Sequence, residues 1–366
     1  MFNLNRFDYR ELKAVGSVLE SGELSGFYKN FRGGEKVQEF EENFAKYHGV
    51  RHAIAMSSGT ASLMTAQLAC GITRGDRVVT TPYTFVASAS SIVMTGATPL
   101  FMDIDRMTYN MRTMDNYVKA PRVKAIVAVH MLGNPCGITK KDVGDVFLIE
   151  DCAQALGAKY NGKLVGTLGD LGCFSFQHTK TITTGGEGGM IITDNEELAE
   201  KCRRIRNHGE KYAKGSELGY NFRMTEIQAA IGIEQLKKLD YFNKLQIENA
   251  RYIIRDLPGQ LTTQETLTHA EPVYFVIGCR YGGKHKEDIF TALTNLRVNR
   301  GLPGRSVGAG YPELVYQLPY FKRWRLPCPE AEAILSEAVW IDIHRFRPLE
   351  AVKKDWKMVR EAVEAW

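Results

Sequence analysis

An α/β fold, a mostly parallel sheet flanked by helices, is what this sequence predicts, and two observations carry that expectation. From about Ala53 onward, short β-branched apolar runs alternate with amphipathic stretches of helical length. The 366 residues are 44% hydrophobic and 24% charged, enough for a substantial core and about two domains at roughly 150 residues each. Disordered and fibrous classes are excluded by the same figures.

In chain order, Leu12, Val15 and Leu19 recur at helical spacing, and Val37, Phe40 and Phe44 do so again before Gly49 supplies a stop. A Gly-rich connector, Gly22 to Gly34, lies between them. Strands are expected at Ala53–Met56, Arg77–Thr80, Pro99–Ile104, Ala125–His130, Phe147–Glu150, Gly172–Phe176 and Met190–Thr193. Segments such as Thr60–Cys70 and Thr84–Met94 can be the helical crossovers between them. A helix after Asp194 places Leu198, Cys202 and Ile205 on one face. Thr225-x-x-Gln228 has the form of a capping box and predicts one long helix toward Lys244 or beyond. That helix joins a large unit, residues 1–240, to a small C-terminal unit, 241–366, in which the strand signal weakens.

Forty-seven Lys+Arg against 42 Asp+Glu give a net charge of +5 with no dense basic block, so a nucleic-acid groove is not demanded. Seven scattered cysteines, none in a CxxC pair, argue against a disulfide framework and a structural zinc site, and fit a reducing cytoplasm. No stretch reaches signal-peptide or membrane-span character.

Three stretches could carry chemistry. Ser57-Ser58-Gly59-Thr60 follows a strand and opens a helix, where free N–H groups favour a phosphate, against the alternative of a plain Ser cap. Glu150-Asp151 closes a strand, where a carboxylate points into the ligand crevice of an α/β sheet; the alternative is a capping Asp151 and a solvated Glu150. Lys180 follows Phe174–Thr179 and enters a loop of small hydroxyl and glycine residues, an environment that suits an amine nucleophile, against an ordinary exposed lysine. The cluster Gly185–Gly189 lacks dinucleotide and P-loop spacing. Taken together, a phosphate cradle, a strand-end acid and a sheltered lysine are the groups that pyridoxal phosphate needs.

The runs SSGTASL, TTPYTFVASASSIVMTGATPLFMDID, VHMLGNP, LIEDCAQALGA, GDLGCFSFQHTKTITTGGEGG and GYNFRMTEIQAAIG resemble the DegT/DnrJ/EryC1/StrS family of sugar aminotransferases, in that family's order, from about Gly22 to Leu239. The resemblance implies a fold-type I pyridoxal-phosphate enzyme. It makes Lys180 the residue that bonds the cofactor and shuttles the proton. It sets Asp151 against the pyridine nitrogen and Gln154 near the ring hydroxyl. Gly59, Thr60 and Ser175 would hold the phosphate. Phe85 would stack on the ring, or serve the core. Asn221, in GYNFRM, would reach the phosphate of the neighbouring subunit, implying a homodimer with shared active sites, or else it is a turn residue. His130 and His208 are left out of the catalytic set.

Two features set this chain apart within the resemblance. Gly185-Gly186 stands where one glycine is usual, and Lys180 is retained where dehydratase relatives carry histidine. The implied donor is glutamate or glutamine. Thr181 after the lysine resembles members acting at C-4 of nucleotide-linked 4-keto-6-deoxy sugars, whereas Phe176-Gln177 and the AVWIDIH stretch resemble members that aminate cyclitol ketones. Lys211, Arg223, Lys322, Arg323 and Arg325 are candidates for diphosphate contacts, against a merely solvated charged surface. A cofactor-dependent dehydratase or a non-catalytic sensor is the alternative from another class.

Overall fold

The computed structural model describes residues 6–112, 117–210, 218–282, 307–308, 310–342 and 346–364. Lys211 therefore lies outside the described residues, as does most of Gly301–Gly310.

The N-terminal segment forms α1 (Tyr9–Ser21), opened by a capping box between Asp8 and Glu11, and α2 (Glu35–His48), closed by Gly49 at φ 69°. Val37, Phe40 and Phe44 of α2 are fully buried, as their spacing predicts. The face of α1 differs from expectation. Glu11 and Val18 are its buried residues, while Leu12 and Leu19 are 77% and 56% exposed. The docking is ionic: the Glu11 carboxylate meets the buried Lys238 ammonium at 2.5 Å, and Lys238 also meets Asp8 at 3.0 Å. An apolar periodicity count does not register such a pair.

The main sheet has seven strands: β1 (His52–Met56), β2 (Arg77–Thr80), β3 (Thr98–Phe101), β4 (Val123–Val129), β5 (Phe147–Asp151), β8 (Leu171–Ser175) and β9 (Gly189–Thr193), with β6 (Lys159–Tyr160) and β7 (Lys163–Leu164) as an outlying hairpin. Their order is β1-β9-β8-β5-β4-β2-β3, and β9 alone runs against the rest. Every expected strand is present within a few residues. Pro99–Ile104 is shortened because Ile104 instead bridges to Met111. Helices α3 (Gly59–Ala69), α4 (Ala87–Met94), α5 (Lys140–Val143) and α6 (Glu196–Arg206) connect the strands. Leu198, Cys202 and Ile205 of α6 are buried together. The near-continuous apolar content of β1, β4, β5, β8 and β9 follows from burial on both faces of the sheet.

Thr225 caps its helix through the Gln228 box as expected, but the long helix is two, α7 (Glu226–Leu236) and α8 (Leu239–Arg255). The break falls at Lys237-Lys238, where the buried Lys238 is turned onto Asp8 and Glu11. Beyond α8, a second, antiparallel sheet orders β10 (Leu261–Thr263), β12 (Ile277–Tyr281), β14 (Ala338–Ile341) and β13 (Val307–Gly308), while β11 (Ala270–Glu271) pairs with β6. With α9 (Pro329–Glu337), and with α10 (Leu349–Glu364) laid beside α8, it gives the smaller α+β part. Among the described residues, no helix is long and apolar enough to cross a membrane.

Candidate active site

Strands β1, β5 and β8 run in the same sense, so their C-terminal ends open on one side of the sheet, where α/β folds bind ligands. A cavity of about 500 Å³ lies there, a size suited to a small-molecule site. Gly59, Thr60, Phe85, Asp151, Gln154, Ser175 and Lys180 all line it.

The cradle end is built by α3. Ser58 caps it, its Oγ accepting from the Ala61 amide at 3.1 Å. The Ser62 amide already reaches the Ser58 carbonyl, so the Gly59 and Thr60 amides are the first-turn donors that have no partner within the helix. A Cβ at residue 59 would stand 2.8 Å from the Ser175 Cβ. Only glycine lets the helix start close against Ser175, and the resulting notch of amides and hydroxyl fits a phosphate.

Asp151 ends β5 and is almost wholly buried. Its Oδ2 accepts from Ser88 Oγ at 2.8 Å and its Oδ1 from the Ala153 amide at 3.1 Å; Ser88 in turn pairs with Thr84 at 3.0 Å. The carboxylate is thus fixed in direction. Gln154 Oε1 accepts the Leu132 amide at 2.8 Å, and its Nε2 reaches the Tyr311 hydroxyl at 3.4 Å. Lys180 leaves a turn closed by its own amide on the Gln177 carbonyl at 2.8 Å, and its Nζ lies 4.8 Å from the centre of the Phe275 ring. Gly185 and Gly186, at φ 84° and 124°, bend the loop that follows back toward Gln177. Phe85 lines the mouth and is 59% exposed, so it is not a core residue.

Glu150 is the opposite of solvated. Consecutive strand residues face opposite sides, and Glu150 points away from Asp151 into a fully buried hub. It accepts the amides of Gly166, Leu168 and Gly169 at 2.7–2.8 Å and meets His130 Nε2 at 2.9 Å. His130 Nδ1 accepts the Cys136 amide at 3.1 Å, which leaves the ring proton on Nε2 for the carboxylate. Cys152 lies close to both. His130 is therefore a support for the loops beneath the site. Glu150→Ala strands three amides, two of them buried, and the imidazole, and is expected to lower unfolding free energy by about 3–5 kcal/mol in a urea titration.

Asn221 does not line this cavity. It is exposed, bridges to Asn207, and its Oδ1 accepts Arg223 Nε at 2.9 Å. Arg223, Lys322, Arg323 and Arg325 also lie off the lining: Arg323 rests on the Tyr320 and Trp324 rings, and Arg325 pairs with Glu332. Sequence reasoning missed Ser88, Phe275, Tyr311 and Trp340. Ser88 was within reach, since it lies in the PYTFVAS stretch, and so was Trp340, which lies in the AVWIDIH stretch; Phe275 and Tyr311 carry no local motif. Burial pushes the Tyr311 phenol well above its ordinary pKa, so it enters the cavity as a neutral hydroxyl.

The chain is 38% identical to the GDP-perosamine synthase of Vibrio cholerae over 79% of this chain and 80% of that one. It is 40% identical to the L-glutamine:2-deoxy-scyllo-inosose aminotransferase of Streptomyces kanamyceticus over 66% of this chain and 61% of that one. Among solved structures, the aminotransferase from Psychrobacter cryohalolentis superposes with a TM-score of 0.88 at 30% identity, covering 98% of each chain. A family model matches residues 6–359, and with it the chain belongs to the DegT/DnrJ/EryC1/StrS aminotransferase family.

Proposed function

We propose that this enzyme moves an amino group from glutamate or glutamine to the ketone of a nucleotide-linked 4-keto-6-deoxy sugar, with pyridoxal phosphate as cofactor. The observation that carries the reading is the convergence of the α3 amide notch, the fixed Asp151 carboxylate and Lys180 on one cavity. When bound, the cofactor supplies an electron sink for chemistry at the amino-bearing carbon.

The chain's own residues do the rest. The Gly59 and Thr60 amides and the Ser175 hydroxyl take the phosphate. Asp151, held by Ser88 and the Ala153 amide, offers its charge to the ring nitrogen. Gln154 would lie near the ring hydroxyl, and Phe85 would cover a ring face. Lys180 Nζ would hold the cofactor and, as a free amine, would be the group that carries a proton to and from the reacting carbon. Asn221, exposed and off its own cavity, suits a contact with the phosphate of a second copy of the chain in a homodimer. Seven buried thiols suit a cytoplasmic setting.

The nucleotide-linked acceptor draws support from the perosamine-synthase relative, and the cyclitol ketone from the Streptomyces relative. A half-reaction screen separates them. The protein is loaded with the amino form of the cofactor, and each ketone is tested for conversion to the amine by mass spectrometry. Turnover of a nucleotide-linked 4-keto sugar at least tenfold faster than of a cyclitol ketone is expected; the reverse order would assign the cyclitol reaction.

A further inference from the structure

Arg6, ahead of α1, is tied to the Lys180 turn across more than 170 residues of sequence. Its guanidinium donates to the carbonyl oxygens of His178 and Lys180, the latter at 2.6 Å, and lies 5.1 Å from the Phe346 ring centre. Its own carbonyl accepts from Gln235 Nε2 at 2.8 Å and Lys238 Nζ at 3.5 Å. Those two side chains also bind Glu11 Oε1, at 2.7 and 2.5 Å. The short segment is therefore anchored at the α7–α8 junction, with its arginine fork on the outer side of the turn.

The inner side of the turn is held separately. The Lys180 amide donates to the Gln177 carbonyl, the His178 amide to the Gly186 carbonyl at 2.9 Å, and Gln177 Oε1 takes the Thr179 amide and hydroxyl at 2.8 and 2.7 Å. The amide of Lys180 is thus fixed from within and its carbonyl from without. A lysine side chain has four rotatable bonds, so its amine is placed only as well as its backbone is, and a shift of about 1 Å in a reacting group can cost roughly a hundredfold in rate.

We infer that Arg6 is a positioning residue for Lys180: its planar fork grips the carbonyls of residues 178 and 180 and fixes the backbone from which the amine reaches into the cavity. The inference rests on the proposed role of Lys180, but its first readout does not. A lysine at position 6 keeps the charge and loses the fork, so charge alone does not replace it.

The test uses the full chain with Arg6→Ala, Arg6→Lys and, as control, Glu11→Gln, which weakens the α1 anchor and leaves the fork in place. Amide hydrogen exchange of peptides covering 177–183 is read in the cofactor-free protein, and kcat and KM are read in the loaded enzyme. Both Arg6 variants are expected to speed exchange there about tenfold and to lower kcat roughly tenfold to a hundredfold with KM little changed. Glu11→Gln is expected to leave both near wild type. Unchanged exchange in Arg6→Ala, an equal response in Glu11→Gln, or faster exchange with full kcat would each overturn the inference. A wild-type chain that fails to transaminate would sink the proposed function instead, and the exchange comparison would still decide whether the clamp exists.

Discussion

Lys180→Ala is expected to lose amino transfer by at least about 10⁴-fold in kcat, the upper range for a positioned proton-transfer group, while keeping the fold. The size follows from the absence of a substitute. Among the described residues lining the cavity, Lys180 is the only lysine, and the remaining charged groups are the carboxylates of Asp151 and Glu187. Neither can bond an aldehyde as an amine does. The fold should survive because the loop's hydrogen bonds run through the Lys180 main chain and the Gln177 and Thr183 side chains, all of which the substitution leaves in place. Amino transfer measured from glutamate, with circular dichroism as the folding control, checks both halves. Residual turnover within tenfold of wild type would place the reactive amine elsewhere.

Asp151→Asn is the second large effect. Asparagine keeps the size, and its amide oxygen can still accept from Ser88 or the Ala153 amide, so unfolding should change by no more than about 1–2 kcal/mol. What is lost is the negative charge at the sheet end. Groups that stabilise developing charge from a fixed position are worth roughly 10²–10³ in kcat, and a drop of that size is expected with KM for the donor changed much less. Ser88→Ala should show the same direction at a smaller size, since it frees the carboxylate to rotate without discharging it. Wild-type kcat in Asp151→Asn would remove this residue from the chemistry.

Much of this was readable in the chain. The sheet was, because most of its strands are short apolar runs buried on both faces and bounded by turn residues. The residues that the stretches 57–60, 150–154 and 174–180 bring to the cavity wall were too, because each stretch sits at a strand end and carries its own local signature. Interactions between remote segments were not. The buried face of α1 is set by Glu11 meeting Lys238, and the same lysine interrupts what the sequence presents as one helix from Thr225. Glu150 is indistinguishable from a solvated acid until the 166–169 loop folds over it with three amides. Tyr311, Trp340 and Phe275 reach the cavity only through the packing of the small antiparallel sheet against the large one. Arg6 gains its meaning from the carbonyls it finds far along the chain.

The central claim is that Lys180 carries the cofactor in the notch made by α3, β5 and β8. Borohydride reduction of the pyridoxal-phosphate-loaded protein, followed by digestion and peptide mass mapping, tests it most directly. The account predicts a single stable cofactor adduct on the peptide containing Lys180, lost in Lys180→Ala. An adduct on any other lysine, or none on a protein that nevertheless transaminates, would contradict it.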